Sequence, residues 1–371
     1  MRLFVSCVPF DGGLSGISVY IRNVVRELAA LGHDLTLLVE PDAAVCFKGF
    51  KTLETPHWTR RAVCSMLYHA AAVPFMVSPK KYDACLLTAA NRRALLFSRV
   101  FTLSVVHDLS QYHMEGKYDA FRTIYIKKIL PCLVRRSDAV AAVSGATAAD
   151  LEYYWKLPHE KIHVAYNGLS IPDTSRSGWL AAHPRLRAGH YIFYVSRIEH
   201  PGKNHVRLIQ AYERLPENLR HDYPLVLAGK DWLGGQMVHE AADASPAKDD
   251  IVFSGFIDSA DMKEAYENAA CYIFPSLFEG FGLSLIEAMN YGVPCGCSKT
   301  SSLGEIGGKA ALQFNPESVE EIGQALTTLL TDEKERARLK EEGPKRAAEF
   351  SWRRHAEILT HILETGLGSA K

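Results

Sequence analysis

Short apolar runs alternate with stretches of helical period along almost the whole chain, and this alternation limits the fold more than any single motif. The first cycle reads RLFVSCV, LTLLV, ACLLT, FTLSVV, AVAAVS and IHVAYN. Helices lie between these runs, most clearly over Ile17–Leu31, Tyr118–Arg136 and Ala146–Trp155. Strands that are apolar on both faces and separated by helices belong in a parallel sheet, because each helical crossover returns the chain to the same edge. NGLSIPDTSRSG, Asn167–Gly178, breaks the rhythm with turn residues and reads as a linker. A second cycle follows: YIFYVS, PLVLAG, DIVFSGF, ACYIFPS and VPCGCS. The pattern predicts an α/β protein of two doubly wound domains, 1–172 and 173–351. The charged stretch Glu317–Glu364 is helical by period, and TDEKERARLKEE is its solvated face.

With 371 residues and 47% hydrophobic content the chain can fill two cores. Lys+Arg and Asp+Glu both total 42, so no net field draws it to nucleic acid. Residues 1–173 hold 20 Lys+Arg against 15 Asp+Glu and the remainder 22 against 27, which points the two halves at different partners. The eight cysteines form no CxxC pair, and Cys7, Cys85 and Cys271 fall in apolar runs, as expected of free thiols in a reducing, cytosolic compartment. Leu3–Val8 is too short for a secretory signal, and Ala62–Val77 is broken by His69 and Pro74, so no transmembrane helix is expected.

EGFGLSLIEAMNYGVP, Glu279–Pro294, poses a physical question. An apolar helix from Leu283 to Tyr291 encloses Glu287, and Glu279 stands at its entrance. No Lys or Arg lies between Gly280 and Pro294, although an unpartnered buried carboxylate costs several kcal/mol or takes up a proton. In SRIEHPGKNHVRLIQAY, Lys203 is expected to open a helix, where its charge opposes the helix dipole unless an anion binds there. Arg197, in the strand-end loop, can converge on the same point, and two cations beside a helix N-terminus suit a diphosphate. Both loops follow strands, so both belong at the ligand-binding carboxyl edge of one sheet. Cations for phosphate with carboxylate acceptors for hydroxyls suit a sugar attached to a nucleotide. DGGLSGIS, Asp11–Ser18, is a glycine-rich strand-to-helix turn that either cradles a polar ligand or is a tight turn only.

These stretches, with VVHDLS, SDAVAAVSGATAADL, FSGF and SLGEIGG in the same order, resemble the retaining glycosyltransferases of family 4 over nearly the whole chain. The signature Glu279-x7-Glu287 with Arg197 and Lys203 upstream is the specific part. The resemblance implies the GT-B architecture, two facing Rossmann-like domains with the active site in the cleft between them. Its N-terminal domain (1–172) would bind acceptor and its C-terminal domain (173–351) donor, with a helix at about 352–371 packing back onto the first. It implies that Arg197 and Lys203 hold the donor diphosphate, Glu287 accepts from the ribose hydroxyls and Glu279 binds the transferred sugar. Amides around Phe281, Gly282 and Leu283 would close over sugar and phosphate, Gly255 and Phe256 would line the base pocket, and Gly13 and Ser15 would approach the donor. His107 matches a histidine that faces the donor sugar; by itself it reads as a loop cap beside Asp108. The loop SLGEIGG departs from the commoner Leu-Pro-Glu at Gly304, so the resemblance assigns neither its geometry nor a role to Glu305.

The implied reaction breaks an anomeric C–O bond with retention by front-face attack, the leaving phosphate helping to deprotonate the acceptor, so no side-chain nucleophile is assigned. No Asp-x-Asp occurs in the chain, and neither a metal nor another cofactor is expected. GISVYIRNVVREL and VVHDLS look most like the mannosyltransferase-like branch, which favours GDP-mannose over a UDP-hexose. The expected acceptor is a surface glycan or a lipid-linked sugar. Arg122, Lys127, Lys128, Arg135 and Arg136 interleave with apolar residues, as do Arg60 and Arg61, a pattern that suits either the inner face of an anionic membrane or ordinary solvated helices. An epimerase or hydrolase on the same frame, or a non-catalytic sugar-binding protein, remain the alternatives.

Overall fold

The computed structural model describes residues 1–13, 15–114, 123–171 and 175–369. The chain divides into two compact units, one of residues 1–168 with the segment from Ser351 onward, the other of Leu169–Phe350. The division falls at Gly168 and Leu169 rather than at 172/173. The two crossings pair there: Leu169 N–H donates to the Phe350 carbonyl at 3.1 Å. Gly168 lies so close to Trp352 that a Cβ on it would stand 2.1 Å from the Trp352 nitrogen.

The first unit carries a parallel sheet of seven strands: β1 (Arg2–Ser6), β2 (Asp34–Val39), β3 (Lys51–Glu54), β4 (Ala84–Leu87), β5 (Phe101–Val106), β6 (Ala139–Ala142) and β7 (Ile162–Val164). Their order is β3-β2-β1-β4-β5-β6-β7, so the chain reverses its winding between β1 and β4. Val5 aligns with Leu37 on one side and Leu86 on the other. Leu3, Phe4 and Val5 are fully buried, and each such side chain contributes about 1.5–3 kcal/mol. β3, with the sequence KTLE, has no apolar run to announce it; it pairs only with β2 at the sheet edge, where polar side chains reach solvent.

The helix Gly16–Ala30 buries Tyr20, Ile21, Val24, Val25 and Leu28 at helical spacing, and the Ser15 side chain caps it by accepting from the Ser18 N–H at 3.4 Å. The C-terminal helix, Trp352–Ser369, packs against this helix and β5. The helix expected over Tyr118–Arg136 is described from Thr123 onward, and its earlier part, with Arg122, lies outside the described residues. What is described is a π-helical turn, Tyr125–Ile129, followed by an α-helical turn, Leu130–Val134. Pro131 explains the change: lacking an N–H, it cannot bond the Lys127 carbonyl, which accepts from the Tyr112 hydroxyl at 3.2 Å instead.

The second unit holds β8 (Ile192–Val195), β9 (Leu225–Ala228), β10 (Ile251–Gly255), β11 (Cys271–Phe274), β12 (Cys295–Ser298) and β13 (Leu312–Phe314), all parallel in the order β10-β9-β8-β11-β12-β13. β13, LQF, is too short to read from periodicity. Winding reverses between β8 and β11, the position where a doubly wound sheet opens its ligand crevice. The loops after these two strands carry SRIEHPGK and SLFEGFG. Among the described residues no helix is long and apolar enough to cross a membrane.

Candidate active site

The two loops are stitched together by main-chain contacts. Leu277 N–H donates to the Gly202 carbonyl at 3.0 Å, and the Asn204 side-chain amide donates to the carbonyls of Pro275 and Pro316 at 2.9 and 2.7 Å. Asn204, at φ 61, then starts the helix His205–Tyr212. Lys203 therefore precedes the helix rather than occupying its first turn, because Asn204 takes the left-handed position that ends the loop. The Lys203 ammonium meets the Glu279 carboxylate at 2.6 Å, with both side chains largely buried. The partner that the Glu279 segment lacks thus comes from the preceding strand-end loop. Lysine has three donors, so one bond to Glu279 leaves two for an anion.

Arg197 is half-exposed at the end of β8. Its Nη2 stands 3.0 Å from the buried Glu199 carboxylate, and its guanidinium carbon lies 5.2 Å from the centre of the Trp232 ring. Phe256 is also half-exposed, with the Lys230 ammonium 4.6 Å from its ring centre. Gly255, at φ 71, ends β10 with open space where a side chain would point.

Glu287 is handled without a cation. It lies in the helix Leu283–Asn290 and accepts from the Tyr266 hydroxyl at 3.1 Å, while burial among Tyr266, Tyr272 and Tyr291 pushes its carboxyl up to about 7. The residue as a whole is half-buried. This helix begins at Gly282, φ 107, where a Cβ would also meet Leu303 at 2.7 Å. In its first turn the Leu285 N–H donates to the Gly282 carbonyl at 3.0 Å, which leaves the Leu283 and Ser284 amides as those that a helix start does not pair internally.

SLGEIGG is not a loop: Ser301–Gly307 is helical. Gly304 accounts for its sequence, since a Cβ there would stand 2.5 Å from the Lys299 carbonyl oxygen. The helix start clamps the Glu279 segment. Ser301 Oγ accepts from the Glu279 N–H at 3.0 Å, and the Ser302 hydroxyl bonds the carbonyls of Glu279 and Phe281 at 2.9 and 3.0 Å. Sequence reasoning gave neither serine a role: Ser302 opens the quoted SLGEIGG and Ser301 stands just before it.

A family model for glycosyl transferases group 1 matches residues 181–346, and one for glycosyltransferase family 4 matches residues 14–171. The chain belongs to the family 4 glycosyltransferases. Its relatives in this family include the serotype-specific mannosyltransferase WbdA of Escherichia coli, 30% identical over 267 residues that cover 69% of this chain and 32% of WbdA. The O-antigen chain mannosyltransferase B of Escherichia coli is 28% identical over 254 residues, 67% of this chain and 66% of that protein. The chain thus spans about a third of the length of WbdA that it matches. Among solved structures, sucrose-phosphate synthase from Thermosynechococcus elongatus aligns over 100% of both chains with a TM-score of 0.75 at 18% identity. That likeness concerns the fold, the GT-B pairing of two Rossmann-like domains.

In the first unit of this family 4 protein, His107 lies at the end of β5, buried, with Nε2 2.7 Å from the Thr88 carbonyl. A carbonyl only accepts, so the proton sits on Nε2 and Nδ1 is left as an acceptor. Burial holds the imidazole at about 4, hence neutral at physiological pH. Its bonding partner is Thr88 rather than Asp108, whose carboxylate accepts from the Ser110 N–H at 3.0 Å. Tyr20 packs edge-on against His107 at 4.6 Å and bonds His355 at 2.8 Å. His355 also reaches the Tyr166 carbonyl at 2.9 Å. Neither Tyr20 nor His355 was foreseen, because contact between the first and last helices has no local signature.

Gly13 and Ser15 serve the turn itself. Gly13, at φ 105, lies under Arg22, whose guanidinium would stand 2.6 Å from a Cβ there and donates to the Gly12 carbonyl at 2.6 Å. Ser15 caps the following helix, and its N–H donates to Asp11 at 3.1 Å. Of the basic helical residues, Arg135 and Arg136 bond the carbonyls of Trp155 and Leu96, and the Lys127 ammonium lies 5.4 Å from the Tyr112 ring centre. Those three side chains hold the fold locally, and Lys128 is exposed.

Proposed function

We propose that the chain is a retaining glycosyltransferase, independent of metal ions, that moves a hexose from a nucleoside-diphosphate sugar to a glycan or lipid-linked acceptor in surface polysaccharide synthesis. The observation that carries this reading is the 2.6 Å contact of Lys203 with Glu279, in stitched loops at the switch point of the second sheet. It supports a reading in which an ammonium for phosphate sits beside a carboxylate for sugar hydroxyls. Arg197, at the end of the adjacent β8, adds a second cation.

As the anomeric C–O bond breaks, negative charge gathers on the departing phosphate. Lys203, Arg197 and the Leu283 and Ser284 amides at the start of the helix Leu283–Asn290 stabilise that charge where it grows, the task a divalent ion performs elsewhere. The Glu287 carboxylate, ionised on binding, accepts from the ribose hydroxyls. His107, neutral with Nδ1 free of a proton, accepts from a hydroxyl of the transferred sugar. GDP-mannose is the favoured donor, since WbdA and the O-antigen chain enzyme are named mannosyltransferases.

We place the protein in the cytoplasm, at the inner face of an anionic membrane. Residues 48–99 hold nine Lys+Arg against two Asp+Glu, and the same segment exposes Trp58, Leu67 and Phe75 beside Arg60 and Arg61.

The experiment is transfer from GDP-mannose and UDP-hexoses to membrane extracts by wild type, Lys203→Ala and Arg197→Ala. Each variant is expected to lose about a hundredfold or more in turnover. Near-normal turnover in both would place the anion site elsewhere, and sugar release without any acceptor would make the chain a hydrolase.

A further inference from the structure

The segment AGKDWLGG, Ala228–Gly235, has the glycine content of a ligand loop, yet none of the site residues expected from the sequence belongs to it. It runs beside Ser196–His200. Ile198 N–H donates to the Lys230 carbonyl and Trp232 N–H to the Ile198 carbonyl, both at 2.9 Å, and His200 N–H donates to the Leu233 carbonyl at 3.1 Å. Ile198 and Asp231 form a parallel bridge, so the pairing of β8 with β9 continues past both strand ends.

Three glycines permit this approach. A Cβ would stand 1.8 Å from the Ser196 oxygen if placed on Gly229, 2.8 Å from the His200 oxygen on Gly234 and 2.9 Å from the Ile198 oxygen on Gly235. Gly229 and Gly234 also have φ of 146 and 74, which disfavour a side chain.

The clasp sets the position of Trp232. The residue stays 53% exposed, an unfavourable placement for so large a side chain, and the Arg197 guanidinium lies 5.2 Å from the ring centre. Arg197 is itself half-exposed, and Glu199, at 3.0 Å, is its other partner. A guanidinium against an aromatic face and a buried carboxylate keeps its plane in one orientation, where an unsupported arginine would sample many rotamers.

We propose that Trp232 is a positioning residue for Arg197, presenting its ring so that the guanidinium is oriented for the donor diphosphate before the donor arrives. The role rests on the reading of Arg197 as a phosphate-binding cation. Trp232 acts through Arg197, so its loss should weaken recognition of phosphate and leave recognition of the nucleoside alone.

The test is calorimetry of full-length wild type, Trp232→Ala, Trp232→Phe, Arg197→Ala and the Trp232→Ala/Arg197→Ala double variant, each checked for folding by circular dichroism. Probes are GDP and UDP with guanosine and uridine as competitors. Trp232→Ala should bind the preferred diphosphate about three- to tenfold more weakly, with nucleoside affinity unchanged. Trp232→Phe, which keeps an aromatic face, should recover most of the loss, and the double variant should bind no more weakly than Arg197→Ala. Three results overturn the proposal: diphosphate binding by Trp232→Ala within twofold of wild type while Arg197→Ala is impaired, equal loss of nucleoside and diphosphate, or losses that multiply in the double variant. If Arg197→Ala itself binds normally, or wild type binds neither diphosphate, the donor-site reading fails first and the inference falls with it.

Discussion

Replacing Glu287 by Gln removes a carboxyl that the fold pushes up to about 7 from its ordinary value of 4.5. Between those two pH values the unfolded chain has released this proton and the folded chain still holds it. Each rise in pH across the window therefore favours unfolding, and above about 7 the penalty is constant. At about 1.4 kcal/mol per pH unit the full difference is about 3 kcal/mol. Because the residue is half-buried rather than fully enclosed, about 1–2 kcal/mol is the expected size. Gln fills the same space and can still accept from the Tyr266 hydroxyl, so the substitution removes charge and little else. The ligand-free variant should be more stable than wild type by about 1–2 kcal/mol at pH 8 and equal to it at pH 4.5, measured by urea unfolding. Binding should move the other way: the variant should bind GDP or UDP about tenfold more weakly at pH 8, since a hydroxyl bond to a carboxylate exceeds one to an amide. Wild-type affinity should itself rise as pH climbs through about 7 and Glu287 ionises. A variant equally or less stable at pH 8, or one that keeps full nucleotide affinity, would refute the assignment of Glu287 as a carboxylate held ready for ribose.

Glu279→Gln should abolish most turnover while free nucleoside diphosphate binds at least as tightly as before, because Lys203 then loses the carboxylate 2.6 Å away; weakened diphosphate binding in calorimetry would mean that Glu279 shapes the loop. Transfer activity in excess EDTA should match that with magnesium or manganese, and loss on chelation with recovery on adding a divalent ion would remove Arg197 and Lys203 as sufficient phosphate ligands. Wild-type protein should bind liposomes containing anionic lipid at low salt and release them as salt rises, and the combined Trp58→Ser, Arg61→Glu and Leu67→Ser variant should not bind; cosedimentation that ignores lipid charge would exclude a role for these exposed residues.

The alternation of apolar runs and helices in the sequence determined two parallel sheets, because a strand buried on both faces has to be apolar throughout and a helix has to carry one apolar stripe. The motif spacing likewise marked Arg197, Lys203, Glu279 and Glu287, since residues that follow strands in a doubly wound fold gather at one sheet edge. β3 and β13 escaped because an edge strand needs no apolar pattern and three residues show no period. Tertiary structure alone decided the partners. Lys203 neutralises Glu279 across 76 residues of chain, while Glu287 has a tyrosine hydroxyl and a raised pKa where the sequence offered only a missing cation. Gly304 is required by a carbonyl oxygen at Lys299, and the His107 ring is held by one at Thr88. Such contacts depend on where the sheet and its crossovers bring distant backbone atoms together. Local sequence sets which groups need a partner, and packing sets which partner each one finds.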